Sequence, residues 1–181
     1  VGPLDVNSWI WASQDANIIN NSLASGNTTT IAGAVWAGND IRIYNNGGIS
    51  SNLDVMADVL AYGSWDGYSY IDIYSGGNGH LSNVTNSSGG GDADVYFAGL
   101  QASLRGAIDI DDELYYGAPY ATTKFLTSAS ITAPFMTLEV LNLRGVQDDG
   151  SAYTDLVQKP GVQIFGDFID RYTIREAEAD G

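Results

Sequence analysis

Two stretches of this chain, IRIYNNGGIS (41–50) and IDIYSGGNGH (71–80), repeat an alternating strand followed by a glycine turn. Each comes after an Ala-rich run, GAVWAG (33–38) or ADVLAYG (57–63). In an extended chain Ile41 and Ile43 point to one side and Arg42 to the other, as do Ile71, Ile73 and Asp72. A third echo relates SLRGAIDIDD (103–112) to NLRGVQDDG (142–150), at a wider spacing than the first pair. Units of strand and turn that resemble their neighbours restrict the chain to all-β architectures. Uneven spacing fits the coils of an irregular β-solenoid or β-arch stack. A sandwich or jelly-roll of roughly 8 to 12 strands accommodates the same pattern.

The rest of the sequence agrees with many short strands and tight turns. Gly is abundant (22) and Pro scarce (4), and β-branched runs are short. One short helix competes with extended structure near the N-terminus, over residues 8–23, where Ile10, Ile18, Ile19 and Leu23 would share a face. The run 52–63 reads as one strand between two layers, with Leu53, Val55, Ala57, Val59 and Ala61 on one side and Met56 and Leu60 on the other. Further strands are expected at 94–97, 101–104, 107–110, 114–116, 124–126, 134–143, 162–165 and 171–174. The chain thus divides into an N-terminal segment (1–29, extended arm or short helix), a β domain (30–175) and an acidic tail (176–181).

Charge excludes several partners. With 22 acidic and 7 basic residues the net charge is −15, so no cationic stripe exists to bind nucleic acid or an anionic membrane. Zero Cys removes disulfides, thiolate nucleophiles and iron–sulfur sites. No apolar run reaches the roughly 18 to 20 residues of a membrane span. The chain opens on Val1 and reads as a product whose leader has been removed, or as a trimmed chain. N-x-[ST] triplets at Asn20, Asn27, Asn83 and Asn86 are glycan acceptors if the protein is secreted or displayed on a surface.

Chemistry-bearing residues are few. The only His, His80, ends the turn Gly76-Gly77-Asn78-Gly79, and no G-x-S-x-G elbow accompanies it. Asp109 and Asp111 alternate with Ile108 and Ile110, with Asp112 and Glu113 close behind; hard oxygen ligands in that pattern suit Ca²⁺. Asp92 with Asp94, and Asp148 with Asp149, are similar pairs. Paired carboxylates beside Trp36, Trp65 and Tyr also describe a site for acid–base cleavage of a glycosidic bond, provided the fold brings two carboxyls together. Trp9 and Trp11, flanking Ile10, are either core or an apolar hook for a neighbouring subunit.

Gly/Asn/Ser/Tyr-rich strands, missing Cys, near-absent Lys and the 41–50 and 71–80 echoes resemble microbial extracellular structural proteins, such as the amyloid-like sheath and β-arch proteins of archaea. Surface filament or tube subunits, and viral fibres or spikes, share this texture. The resemblance is of composition over most of the chain and carries no functional residue. It implies a non-enzymatic, self-assembling extracellular or cell-surface subunit whose partner is itself. Scarce Lys and Pro leave strand edges unguarded, in line with this. Residues 1–8 would serve as an extended arm for a neighbour's sheet, and carboxylate repulsion would make assembly salt-dependent. The alternatives are a sugar-binding adhesin and a carboxylate-dependent polysaccharide enzyme.

Overall fold

The computed structural model describes residues 2–24, 26–63, 67–126, 128–145 and 164–165, and among these there is no helix. The strands follow one another in three-strand coils. The first coil is β1 (Leu4–Val6), β2 (Ile10–Ala12) and β3 (Ala16–Asn20), and the second is β4 (Thr28–Ile31), β5 (Val35–Ala37) and β6 (Ile41–Asn45). The third is β7 (Asn52–Val55), β8 (Val59–Ala61) and β9 (Tyr68–Ser75), and the fourth is β10 (Asn78–Leu81), β11 (Val84–Asn86) and β12 (Gly90–Phe97). In the fifth, β13 (Gln101–Leu104) and β14 (Ala107–Ile110) lead into the long β15 (Glu113–Phe125), which rounds a corner and opens the sixth. There β16 (Ser130–Thr132) precedes another long strand, β17 (Phe135–Gly145), and β18 (Ile164–Phe165) is the last described.

Every pairing between these strands is parallel and joins one coil to the next. Three faces result. The first holds β1, β4, β7, β10, β13 and the second halves of β15 and β17; the second holds β2, β5, β8, β11, β14, β16 and β18; the third holds β3, β6, β9, β12 and the first halves of β15 and β17. The protein is a parallel β-solenoid of about six turns. The expected choice between sandwich or jelly-roll and solenoid is thereby decided. Parallel neighbours cannot be joined by hairpins, so each returns only after a full circuit of the coil.

The core is a set of ladders in which like stacks on like. Val6, Ile31, Val55, Leu81, Leu104 and Phe125 succeed one another inside the first face. Ile10, Val35, Val59, Val84, Ile108 and Ile131 do so inside the second. On the third, Ile18, Ile43, Ile73, Val95 and Tyr116 take the equivalent places. Full burial of each such aliphatic side chain contributes about 1.5–3 kcal/mol. The echo of 41–50 in 71–80 is itself a register: Ile41 pairs with Ile71, Ile43 with Ile73 and Tyr44 with Tyr74. The Ala-rich runs also pair, Val35 with Val59 and Ala37 with Ala61, across a shorter stretch of chain. Chain inserted between β8 and β9 accounts for the difference. The echo of 103–112 in 142–150 is not a register. Ser103 is followed by Lys124 and then by Arg144, whereas Asn142 stacks on Thr122 and Thr122 on Gln101.

Corners carry the polar interior. Asn20 and Asn45 occupy one buried position on successive coils, with Ser75 next. Asn20 Nδ2 donates to Thr29 Oγ1 (2.8 Å), Thr29 Oγ1 donates to Asn45 Oδ1 (3.2 Å), and Asn45 Nδ2 donates to Ser51 Oγ (3.2 Å). The fourth coil replaces this polar ladder by Phe97, which sits opposite Ser75. Its ring fits because Gly79 has no side chain: a Cβ there would lie 2.2 Å from Phe97 Cδ1. Phe97, Tyr116 and Phe125 then pack edge to face at 6.0 and 6.2 Å.

Several expectations are corrected. The segment weighed as a helix is strand β2 and β3: Ala16, Ile18 and Asn20 point inward while Ile19 points out, a period of two that poor helix formers such as Asn and Ser do not resist. The run 52–63 is two strands on adjacent faces, and Met56 at the bend is exposed. His80 lies in β10, not in a turn, because Gly76 and Gly77 suffice for the corner. Residues 4–6 pair with β4 of their own chain and are not a free arm. The expected strand at 171–174 and the acidic tail at 176–181 lie outside the described residues.

Candidate functional site

The outward side of the third face carries the densest set of functional groups. Tyr44, Tyr74 and Tyr96 share one position on successive coils. Two residues earlier in each strand stand Arg42, Asp72 and Asp94, followed by Tyr115. The hydroxyl of Tyr44 donates to Asp72 Oδ2 and that of Tyr70 to Asp94 Oδ2. The Tyr115 hydroxyl donates to Glu139 Oε2 at 2.7 Å, and Arg42 Nη2 pairs with Asp40 Oδ2 at 3.1 Å. Asp72 and Asp94 are direct neighbours in the ladder, so like charges meet at about 4.8 Å between strands. Burial raises the Asp72 pKa above the usual carboxylate range, and Asp94 adds to this against the Tyr44 hydroxyl and Arg42. The hydrogen bond to Glu139 is the main reason that the Tyr115 pKa rises to about 12.

Paired carboxylates beside aromatic side chains do occur, but in a different pair from Asp92 with Asp94 or Asp109 with Asp111. Asp94 is joined by Asp72, not by Asp92, which lies on the same strand. The tyrosines do not form a flat platform. Tyr74 and Tyr96 are 6.0 Å apart with planes 5° apart, so each turns a ring face toward the other. Trp36 is partly covered by Trp9, at 5.3 Å, and Trp65 lies outside the described residues. The IRIY/IDIY echo was the signal that could have revealed this row, since it sets Tyr44 over Tyr74.

On the first face, Asp54, His80, Ser103 and Lys124 take one outward position on four successive coils. His80 Nδ1 is 2.8 Å from Ser103 Oγ. Burial lowers the His80 pKa; the Asp54 carboxylate opposes this, while Arg105 and Lys124 reinforce it. The order Asp, His, Ser is that of an acid–base–nucleophile triad. Yet Ser103 is only 7% exposed, and Asp54 Oδ1 is paired with Arg105 Nη1 at 3.4 Å. The geometry is that of a polar ladder within a sheet.

The expected Ca²⁺ ligands are spread along the chain. Asp109 stands on β14 between Thr85 and Thr132 of the adjoining coils. Asp111 Oδ2 accepts the Gly89 amide (3.2 Å) in the following corner, Asp112 is in the same corner, and Glu113 opens β15. Among the described residues no three carboxyl or imidazole groups converge on one point. Asp148 and Asp149 are outside the described residues. Of the sequon asparagines, Asn20, Asn27 and Asn86 are buried and Asn83 is exposed. Asn86 Nδ2 donates to the carbonyls of Ser69 and Asp92, both at 2.9 Å.

A third surface is the edge of the first coil. Ile10 N donates to Ala34 O and Ala12 O accepts from Gly38 N. The alternate residue, Trp11, therefore turns its N–H and C=O away from β5. By the same alternation Asp5, Asn17 and Ile19 present backbone groups on this edge; among its described residues the first coil carries two charges, Asp5 and Asp15, and Asp15 Oδ1 accepts from Asn39 Nδ2 of the second coil. Trp9 and Trp11 are 75% and 73% exposed beside it. Comparison with protein-family models, curated proteins and solved structures found no match.

Proposed function

We propose that this chain is a structural subunit that stacks end on end with copies of itself, as part of an extracellular or cell-surface filament, tube or sheath. The observation that carries this reading is the edge of the first coil. Parallel strands satisfy their backbone groups from coil to coil, so unpaired N–H and C=O groups collect at the ends of a solenoid. Here the residues that turn backbone groups to that edge are Asp5, Trp11, Asn17 and Ile19, with Asp5 the one charge among them, and two exposed indoles border it. An added layer of strands completes the ladders and covers Leu4, Val6, Ile10 and Ala12, which are only partly buried. Repulsion between molecules of charge −15 opposes the contact, so screening promotes it.

Sedimentation velocity and negative-stain electron microscopy test the reading between about 0.05 and 0.5 M NaCl. Assemblies should lengthen with salt. Trp11→Pro removes a donor that faces the edge and leaves the β2–β5 bonds in place, and should hold the protein as single copies. A wild-type protein that sediments as one copy throughout this range overturns the proposal.

A further inference from the structure

Among the described residues of this acidic molecule the basic ones are not scattered. They are Arg42, Arg105, Lys124 and Arg144. Arg42 is on the third face, paired with Asp40. The other three gather at the late coils of the first face: Lys124 stands opposite Ser103, Arg144 takes the next register position, and Arg105 directly follows β13. Lys124 is exposed; Arg105 is partly so and is paired with Asp54 of its own first face at 3.4 Å. The third face of the same coils bears the opposite sign, with Glu113 and Glu139 exposed and Asp92 and Asp94 beside them.

We infer that the late first face is a docking surface for the third face of a second copy, side by side, with both solenoids parallel and in register. The heights match. Lys124 and Glu139 both belong to the sixth coil and Glu113 to the fifth, so parallel copies in register set Lys124 level with Glu139 and one coil spacing, about 4.8 Å, above the level of Glu113. Arg105, whose guanidinium is held by Asp54 at 3.4 Å, adds positive potential to the same face, and Lys124 is the cation left to meet the carboxylates. The contact is heterologous, using different faces of each copy, and leaves the partner's own first face open to a third copy.

Size sets its strength. A face about five residues wide and five coils tall covers roughly 400 Å², about half of what one partner contributes to a stable standard interface. Single copies therefore meet only transiently, and lasting lateral association needs many copies aligned. The inference extends the self-association reading to a second surface, and its sign with salt is opposite: charge pairing weakens with the ionic strength that favours end-on stacking.

Zero-length carbodiimide coupling tests it, because the reagent joins Lys to carboxylates only in direct contact. A mixture of ¹⁴N- and ¹⁵N-labelled full-length chains distinguishes links between copies from links within one. Isotopically mixed peptides joining Lys124 to Glu139 or Glu113 are expected, with a yield about fivefold lower at 0.5 M NaCl. Arg105→Glu, which leaves Lys124 in place, should lower that yield, and Glu113→Gln with Glu139→Gln should remove the link. Absence of a mixed link at Lys124, or a yield indifferent to salt, overturns the inference. Coupling reads single copies and sedimentation reads stacking, so either proposal can fail while the other stands.

Discussion

At the scale of single residues, the interior separates polar groups that are satisfied from those that are not. Asn45 gives and receives hydrogen bonds through both ends of its amide. Tyr116 is fully buried among Phe97 and Phe125, and its hydroxyl has no partner among the described residues. Burial accordingly raises its pKa. A buried unsatisfied hydroxyl costs about 1–3 kcal/mol, whereas the ring contributes packing. Tyr116→Phe should therefore raise stability, by about 1 kcal/mol, in a urea titration; a loss of stability would show that the hydroxyl is bonded. Neither Asn45 nor Tyr116 stood out in the sequence. Both sit at inward positions of alternating strands, where an apolar residue is the default, and their partners come from other coils.

At the scale of elements, corners decide more than strands. Gly77 lies where the fourth coil crosses the third, and a Cβ there would stand 2.2 Å from Ser51 O and 2.8 Å from Gly48 O. Both obstacles are backbone, so Gly77→Ala must displace the corner. A loss of roughly 1–3 kcal/mol is expected, measured as a lowered denaturation midpoint with little change at the third-face tyrosines. The strands were legible: 101–104 and 107–110 coincide with β13 and β14, because alternation is local and visible within a single short strand. The bend that divides 52–63 was not. Ala57 and Asp58 carry no Gly or Pro to mark it, and the inward alternation of Val55 and Val59 continues in phase across the corner.

At the scale of the molecule, titration should act from both ends of the pH range. His80 has its pKa lowered in the folded protein, so the unfolded chain, at about 6.5, takes up the proton more readily. Its contribution is present above about pH 6.5 and is lost as pH falls toward the folded value. His80→Gln should flatten stability between about pH 7 and 5. Tyrosines behave with the opposite sign. Tyr44, Tyr70, Tyr96, Tyr115 and Tyr116 all have raised pKa values in the fold, Tyr115 to about 12. Their contribution is complete below about pH 10, the unfolded value, and fades as pH climbs past it. Absorbance of tyrosinate should consequently rise together with loss of circular dichroism; independent titration near the unfolded value for every tyrosine would contradict the buried and bonded state of this set.

By itself the sequence determined the class of the fold, the inward and outward side of most strands, and one true register, the step that sets Ile41, Ile43 and Tyr44 on Ile71, Ile73 and Tyr74. These follow from alternation within a strand and from identical residues stacking on one another. Only the tertiary structure decided which carboxylates meet, that Asp54, His80, Ser103 and Lys124 form one row, and that opposite charges occupy two faces of the same coils. Those neighbours are separated by a full circuit of chain, and the circuit is longer from Ile41 to Ile71 than from Thr122 to Asn142. The length of chain each corner takes up sets that separation, and an inserted segment such as the one between β8 and β9 changes it without altering any strand.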